Sequence, residues 1–555
     1  MSAAESNSAV PASDVEMTDA KRSAIAWIDA NEQWLSDFHL KIYEYAEPAW
    51  REYRSAAAYC DLLRDQGFSV EVGSGDMPTA FCATWGDGQP VVASYAEYDA
   101  VPGLSQQAVP YRAPRIGLHP GAPGHNCTHS MLGVGALTGV LAAKAAMEKH
   151  GISGTLRFFG EPAEKVCGSK PIHAAKGYYD ELDAMLSYHP MSENTVVSDT
   201  HCGCYWSAVF TFECTEPEKY LQGTQVKPTS GGMDVLHAWA RTPGAIDALC
   251  MMYTSTKYTK EAMFPHTGSW TMNEYVMTAG EATSDNHSPH LSQIQYSWRS
   301  PTIAIQERMY QVLAQNARAA ADITGCKAYV TWVSKTRPGL PNRALAELGY
   351  ANMKLFGPPA YNQEAIGFLR DVQKSLGLEA VERPMNAACE QLTPPEQFEA
   401  ATQQFLPPWQ KNFTSDDYTE YTWHAPTLRL YTARPGMWST LRPPRPGYNY
   451  PDWVVVASGG VPSLVNPGMF LAGKTIAGTA LDLVTNPEEL KRAKAEFEER
   501  TGGGVGGTNW TAPLLSRDFV PPVDLPWPAY VTDGSGETVW HLPTPNQAGD
   551  REAIG

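Results

Sequence analysis

The chain is poor in cysteine, short of positive charge and without a long apolar run, and each shortage removes a class of function. Ten cysteines lie irregularly spaced through 555 residues. No Cys-x-x-Cys pair recurs, so neither a disulfide framework nor a zinc ribbon is expected, and free thiols in a reducing compartment are. Lys and Arg number 42 against 60 Asp and Glu, a net charge of −18. That balance disfavours nucleic acid and anionic membranes as partners and favours a freely soluble protein. No apolar run approaches the roughly 18 residues of a membrane span. The opening "MSAAESNSAVPASDVEMTDAKR" lacks the basic and apolar regions of a secretory signal. A disordered acidic leader over 1–20 and a cytoplasmic location are therefore expected.

What is present reads as globular. Apolar residues make up 43% and aromatics 10%, and the length allows roughly two to four domains. From about 20 to 70, apolar residues recur three and four apart, which predicts two helices, the second closed by Gly67. Short apolar runs then alternate with helical segments: "AFCATWG", "PVVASYA", the long apolar "MLGVGALTGVLAAKAAMEKHG", "GTLRFF" and "DAMLSYHP". This alternation predicts an α/β domain with a mostly parallel sheet covered on both faces. Around 206 the texture changes to amphipathic strands ("YWSAVFTFEC", "HLSQIQYSWRS", "KAYVTWVS") with two helices, an α+β insert. The expected organisation is a leader over 1–20, a catalytic domain over 21–205 and 341–500, a lid or dimerisation domain over 206–340, and a Gly/Pro-rich tail over 501–555. "HCGC" at 201–204 sits at the start of a strand-like run and reads as structural.

Three polar clusters share one context, the carboxyl end of a strand or the loop entering a helix. They are Cys127 and His129 in "GHNCTHS", Glu164 in "GEPAEKV", and His189 in "SYHP". In open α/β sheets that edge is where sites are built. A thiolate, two imidazoles and a carboxylate suit Zn²⁺ or a similar borderline metal, and a free carboxylate beside the metal suits a general base. The plain structural alternatives are a buried thiol and a core histidine.

Taken in order, "EYDAVPG", "GHNCTHS", "GEPAEK" and "SYHP" resemble the dinuclear-metal amidohydrolases and peptidases, most closely the aminobenzoyl-glutamate hydrolase branch. The resemblance covers about 25–490 and includes the insert. It implies that Cys127, His129 and His189 are metal ligands and that Glu164 is the general base. It also implies that His237, in "GGMDVLHAWA", reaches from the lid into a partner's active site, and that Asn286 and Arg299 bind substrate. A homodimer through the lid and a small-molecule substrate follow in the same way. His125 is an alternative ligand, and Glu97 and Asp99 are expected to orient the Cys-x-His loop.

Two positions depart from the family pattern. Lys165 stands where a metal-binding Glu belongs, and Asn466, in "VNPGM", stands where the last His ligand belongs. Both lost ligands serve the same ion, so one zinc or none is expected, with the Lys165 ammonium in place of the other. The leading expectation is an amidohydrolase acting on a small N-acyl amino acid or related amide. The alternative is amide formation or cyclisation on the same scaffold, with Lys165 and Glu164 as an acid/base pair and Cys127 as nucleophile. A non-catalytic homologue stands behind both. The aromatic stretch over 421–453 hints at an apolar pocket.

Overall fold

The apolar runs become the strands of a seven-stranded sheet. In chain order these are β1 (Ser69–Val72), β2 (Phe81–Asp87), β3 (Val91–Ala96), β4 (Gly154–Gly160), β5 (Ala184–Met191) and β6 (Thr195–Val197), joined much later by β12 (Thr427–Ala433). The spatial order is β1-β2-β4-β3-β5-β12-β6. The central strands β4, β3, β5 and β12 run parallel, and antiparallel pairings add β2 and β1 on one side and β6 on the other. β3 is buried throughout and β5 nearly so, as strands covered on both faces must be. The computed structural model describes residues 15–119, 121–217, 241–266, 268–280, 287–434, 437, 450–527, 529–532, 538–541 and 552–553.

Helix His129–His150 and helix Pro462–Thr485 pack together under this sheet. Their approach is close: a Cβ added at Gly139 would lie 2.6 Å from Ile476. The first helix is long and apolar enough to cross a membrane, yet 89% of its apolar window is buried inside the protein. Gly151 ends it in the left-handed region (φ 63°) and donates its N–H to Met147 O.

A second sheet takes β7 (Cys202–Glu213), β8 (Thr271–Thr278), β9 (Leu291–Ser300) and β10 (Lys327–Lys335) in antiparallel pairings. The short β11 (Phe413–Ser415) pairs parallel with β7. Helices Ala245–Met263 and Ile303–Thr324 pack against the sheet, over a core that includes Trp206, Phe210, Trp298, Met309 and Trp332. The Gly/Pro-rich tail contributes to this core. Leu515, Phe519, Leu525 and Trp527 are buried in this same core, with the Trp527 ring 6.5 Å from that of Trp50. Further on, β13 (Ala529–Thr532) and β14 (Thr538–His541) form a hairpin, and β15 (Glu552–Ala553) pairs with β10.

Candidate active site and metal centre

β3, β4 and β5 are neighbours in parallel register, so the loops leaving their carboxyl ends meet. β3 delivers Glu97 and Asp99, β4 delivers Glu164 and Lys165, and β5 carries His189 near its end. The helix beginning at His129 completes the corner. The turn Glu164–Val166 is held between two non-glycine residues in the left-handed region, Ala163 (φ 57°) and Cys167 (φ 49°). Such positions need support from outside. Glu52 gives it, its fully buried carboxyl accepting the Ala163 N–H at 2.7 Å and the Thr79 hydroxyl at 2.9 Å.

Cys127, His129 and His189 offer ligand atoms that all lie within 4.8 Å of one another. Cys127 Sγ is 3.6 Å from His189 Nε2. His189 Nδ1 donates to Pro190 O at 2.6 Å, which leaves Nε2 turned to the site. His129 Nδ1 is 2.6 Å from Asp99 Oδ1, so Asp99 orients the ring. His129 Nε2 faces Glu164 Oε2 at 3.1 Å and Glu97 Oε2 at 3.2 Å. Burial and the Lys165 charge press against protonation of His129, but the Glu97 and Asp99 carboxylates prevail and hold its pKa well above the ordinary value.

The ammonium of Lys165 stands in this corner, 2.8 Å from Glu164 Oε2 and 3.0 Å from His129 Nε2. Its backbone N–H is bound by Asp99 Oδ2 at 2.8 Å. Burial opposes its charge, but Cys127, Glu164 and Asp99 raise its pKa well above the lysine value. Burial would likewise raise the Cys127 thiol, and the Lys165 and His189 charges overcome it and hold the thiol well below its ordinary range. Glu164 behaves alike: burial is outweighed by Lys165 and His129, and the carboxyl stays well below the usual carboxylate range.

The donor set of Cys127, His129 and His189 fits one borderline dication. The adjoining group of Glu97, His129 and Glu164 is equally close-set, but there Lys165 already supplies the positive charge, and a dication would meet it at contact distance. At these two positions the residues fit one ion. Asn466 does not face the cluster with a free amide; it exchanges hydrogen bonds with Ser36 Oγ at 3.1–3.2 Å. His125 is engaged elsewhere, with Nε2 3.2 Å from Ile42 O and its ring stacked on Tyr43. Arg299 lies on β9 with its guanidinium 4.9 Å above the Tyr205 ring. His237 and Asn286 fall outside the described residues.

Sequence reasoning missed the shell behind the corner. Lys170, fully buried, binds Glu97 Oε1 at 2.8 Å and Asp417 Oδ1 at 2.7 Å. Arg429 pairs with Asp416 and lies 3.8 Å over the Tyr418 ring. The acid pair Asp416–Asp417, set in an aromatic stretch, was the one signal in the sequence. Of the aromatics read as a pocket, Tyr421, Trp423 and Tyr431 are buried; Tyr421 donates to Glu161 and Trp423 to Pro338 O. They pack the core.

No family model matches the chain. The chain is 26% identical over 498 residues to one of the polypeptides of the p-aminobenzoyl-glutamate hydrolase of Escherichia coli, covering 85% of this chain and 94% of that protein. It is 32% identical over 164 residues to thermostable carboxypeptidase 1 of Saccharolobus solfataricus, covering 28% and 39%. Among solved structures it is similar to an aminobenzoyl-glutamate utilization protein from Klebsiella pneumoniae, with TM-score 0.47 and 14% identity over 80% of this chain and 98% of that one. A putative aminohydrolase from Staphylococcus aureus gives TM-score 0.46 and 13% identity over 83% and 100%. The Escherichia coli match spans both sheets and supports the amidohydrolase and peptidase resemblance drawn from the motifs.

Proposed function

We propose that this chain, aminobenzoyl-glutamate hydrolase-like over most of its length, is an amidohydrolase that cleaves a small N-acyl amino acid or related amide. The observation that carries the reading is the corner itself, in which Glu164, His129 and Lys165 meet beside Cys127 and His189. Cys127, His129 and His189 would hold one zinc, which when bound polarises a carbonyl and lowers the pKa of water. Glu164 takes the proton of the attacking water and passes it to the amine nitrogen as the C–N bond breaks. Lys165 places a fixed positive charge where negative charge develops on the carbonyl oxygen. Asp99 keeps the His129 ring in place throughout.

The relative's name makes an aromatic acyl group on an acidic amino acid the first substrate class to try. p-Aminobenzoyl-glutamate and simpler N-acyl amino acids should release free amino acid. Glu164→Gln should lower kcat about 10²–10⁴-fold with fold intact. Metal analysis of the purified protein should find near one zinc per chain. Loss of activity to chelators supports this reading, and metal-free, chelator-insensitive turnover overturns it.

We also propose a homodimer through the lid. β8 is the end strand of its sheet among the described residues, and Tyr253, Tyr258, Tyr275 and Val276 are exposed on it and on the neighbouring helix. An exposed edge with apolar side chains seeks a partner. Val276→Lys with Tyr275→Glu should convert a dimer to monomer in analytical ultracentrifugation.

A further inference from the structure

The Glu164 turn is fixed from one side by Glu52 and Asp99, which bind its backbone N–H groups. Its own hydrogen bonds, Cys167 N–H to Glu164 O at 2.7 Å and Gly168 N–H to Ala163 O at 2.9 Å, set its shape but not its place. The other side is closed by Trp50. This indole is 1% exposed, and a Cβ added at Gly168 would lie 2.5 Å from its Cζ2 and 3.3 Å from Ala163 Cβ. Gly168 has an ordinary backbone (φ −84°), so the indole, and not the chain conformation, requires a glycine there.

Trp50 does not hold itself in place. It is a non-glycine residue in the left-handed region (φ 65°), and its ring N–H is buried without a hydrogen-bond partner among the described residues. Both cost free energy, and both persist only where the surroundings impose them. The tail supplies those surroundings. The Trp527 ring lies 6.5 Å from that of Trp50 at an interplanar angle of 36°. Arg51 donates to Trp50 O at 2.9 Å and to Val523 O at 3.2 Å, tying the two segments together. Further up the tail, the fully buried Arg337 donates to Thr511 O at 2.7 Å, and Trp510 donates its ring N–H to Trp423 O. Trp50, Ala163, Ile172 and Trp527 belong to one apolar cluster that also holds Trp206 and Trp298 of the second sheet. The plain alternative is that Trp527 only fills a gap in that core. The contact at Gly168 argues against it, because the chain Trp527–Trp50–Gly168 ends on the turn that carries Glu164 and Lys165.

We propose that Trp527 is a positioning residue of the catalytic turn, acting through Trp50. The tail is then part of the active-site scaffold: it presses Trp50 onto Gly168 and so sets where Glu164 and Lys165 stand. Its effect on turnover rests on the hydrolase reading, and its effect on the turn does not.

The test uses the cysteines of the full chain. Cys167 ends the turn and is 4% exposed, which makes it the reporter, and Cys250, exposed on helix Ala245–Met263, is the internal reference. Iodoacetamide labelling in native buffer is read at each cysteine by mass spectrometry, with circular dichroism and melting to confirm that each variant is folded. In Trp527→Ala, Cys167 should label at least about tenfold faster than in wild type, with Cys250 unchanged. Trp527→Phe, which keeps a ring against Trp50, should label as wild type, and Trp527→Leu, which keeps apolar bulk without the ring, should fall between. Met309→Ala opens a hole in the same core from helix Ile303–Thr324 and should leave Cys167 slow at a comparable loss of melting temperature. Gly168→Ala should speed Cys167 labelling in wild type, and by less in Trp527→Ala, where Trp50 is free to give way. Where wild type hydrolyses an amide, Trp527→Ala should lower kcat about tenfold or more with KM little changed, and Trp527→Phe should restore it. Cys167 labelling that is unchanged in Trp527→Ala, equally fast in Met309→Ala, or additive between Gly168→Ala and Trp527→Ala overturns the proposal. No amide turnover by wild type, with the labelling pattern as expected, overturns the hydrolase reading alone.

Discussion

Lys165 sits in a ligand corner and makes the contacts an ion would make, with Glu164 Oε2 at 2.8 Å and His129 Nε2 at 3.0 Å. Lys165→Glu should reverse the logic. Without metal, the new carboxylate faces Glu164 and Glu97, and the melting temperature in chelator should fall by an amount worth about 1–3 kcal/mol, the cost of charged groups left unpaired. With zinc supplied, uptake should rise by one ion per chain, measured by elemental analysis, and the melting temperature should recover. Unchanged uptake would show that Lys165 excludes nothing. This corner was legible in the sequence because Glu97, Glu164 and His189 each follow or close a strand-like run and Cys127 lies in the loop entering a helix, where a parallel sheet exposes its loops. Lys170 and Asp417 were not legible. They are 247 positions apart, and no periodicity links a lysine in the helix Ser169–Ala175 to an acid at the start of the helical turn Asp417–Trp423. Asn466 shows the limit of motif matching, since the motif places it at a ligand position while its side chain bonds Ser36.

At the scale of elements, the site depends on how closely helix His129–His150 approaches helix Pro462–Thr485, because the first helix carries His129 at its start. Gly139 sets that distance. An added Cβ would lie 2.6 Å from Ile476 and 2.9 Å from Gly473 O. Overpacking of this kind costs about 1–3 kcal/mol, so Gly139→Val should lower the urea midpoint accordingly. It should also weaken zinc binding by shifting the His129 end of the helix. A midpoint within error of wild type would show that the helices part without strain. Of the parallel strands at the centre of the sheet, β3, β4 and β5 were legible as apolar runs, while β12 was not, because its residues lie in the stretch read as an aromatic pocket. The direction of β1, β2 and β6 was not, because apolar content does not encode strand polarity and pairing across the sheet does. The buried role of Leu515, Phe519, Leu525 and Trp527 was hidden by the glycines and prolines around them, which fit an exposed strap equally well.

For the molecule as a whole, buried groups with displaced pKa values set how stability varies with pH, and two histidines and one carboxyl among them show the two directions. His39 and His201 are buried, and each is pushed down to about 3 from the ordinary 6.5, by burial and, for His201, also by Arg429. Their folded pKa is depressed, so the unfolded chain takes up their protons first. The stability they contribute is present above pH 6.5 and is lost as pH falls towards 3, at about 1.4 kcal/mol per unit for each. Glu52 runs the other way. Burial first, and then the Asp99 charge, push its carboxyl up to about 8 from 4.5. A raised pKa gives stability that is full below pH 4.5 and lost as pH rises through 8. Between pH 4.5 and 6.5 the two histidines outweigh the one carboxyl, and above 6.5 the carboxyl alone acts. Stability from these groups therefore peaks near pH ~6.5, measurable as the urea midpoint from pH 4.5 to 8.5. His39→Gln with His201→Gln should make the acid limb shallower, the rest of it belonging to His125, which burial also pushes down to about 3, and Glu52→Gln should flatten the alkaline limb. Ionisation strengthens the bond that Glu52 accepts from the Ala163 N–H. It also sets a buried negative charge against Asp99, which holds the Lys165 N–H, and that repulsion should loosen the catalytic corner. Glu52→Gln should then keep amide turnover into the alkaline range where wild type loses it, and equal alkaline losses in both would sever that link.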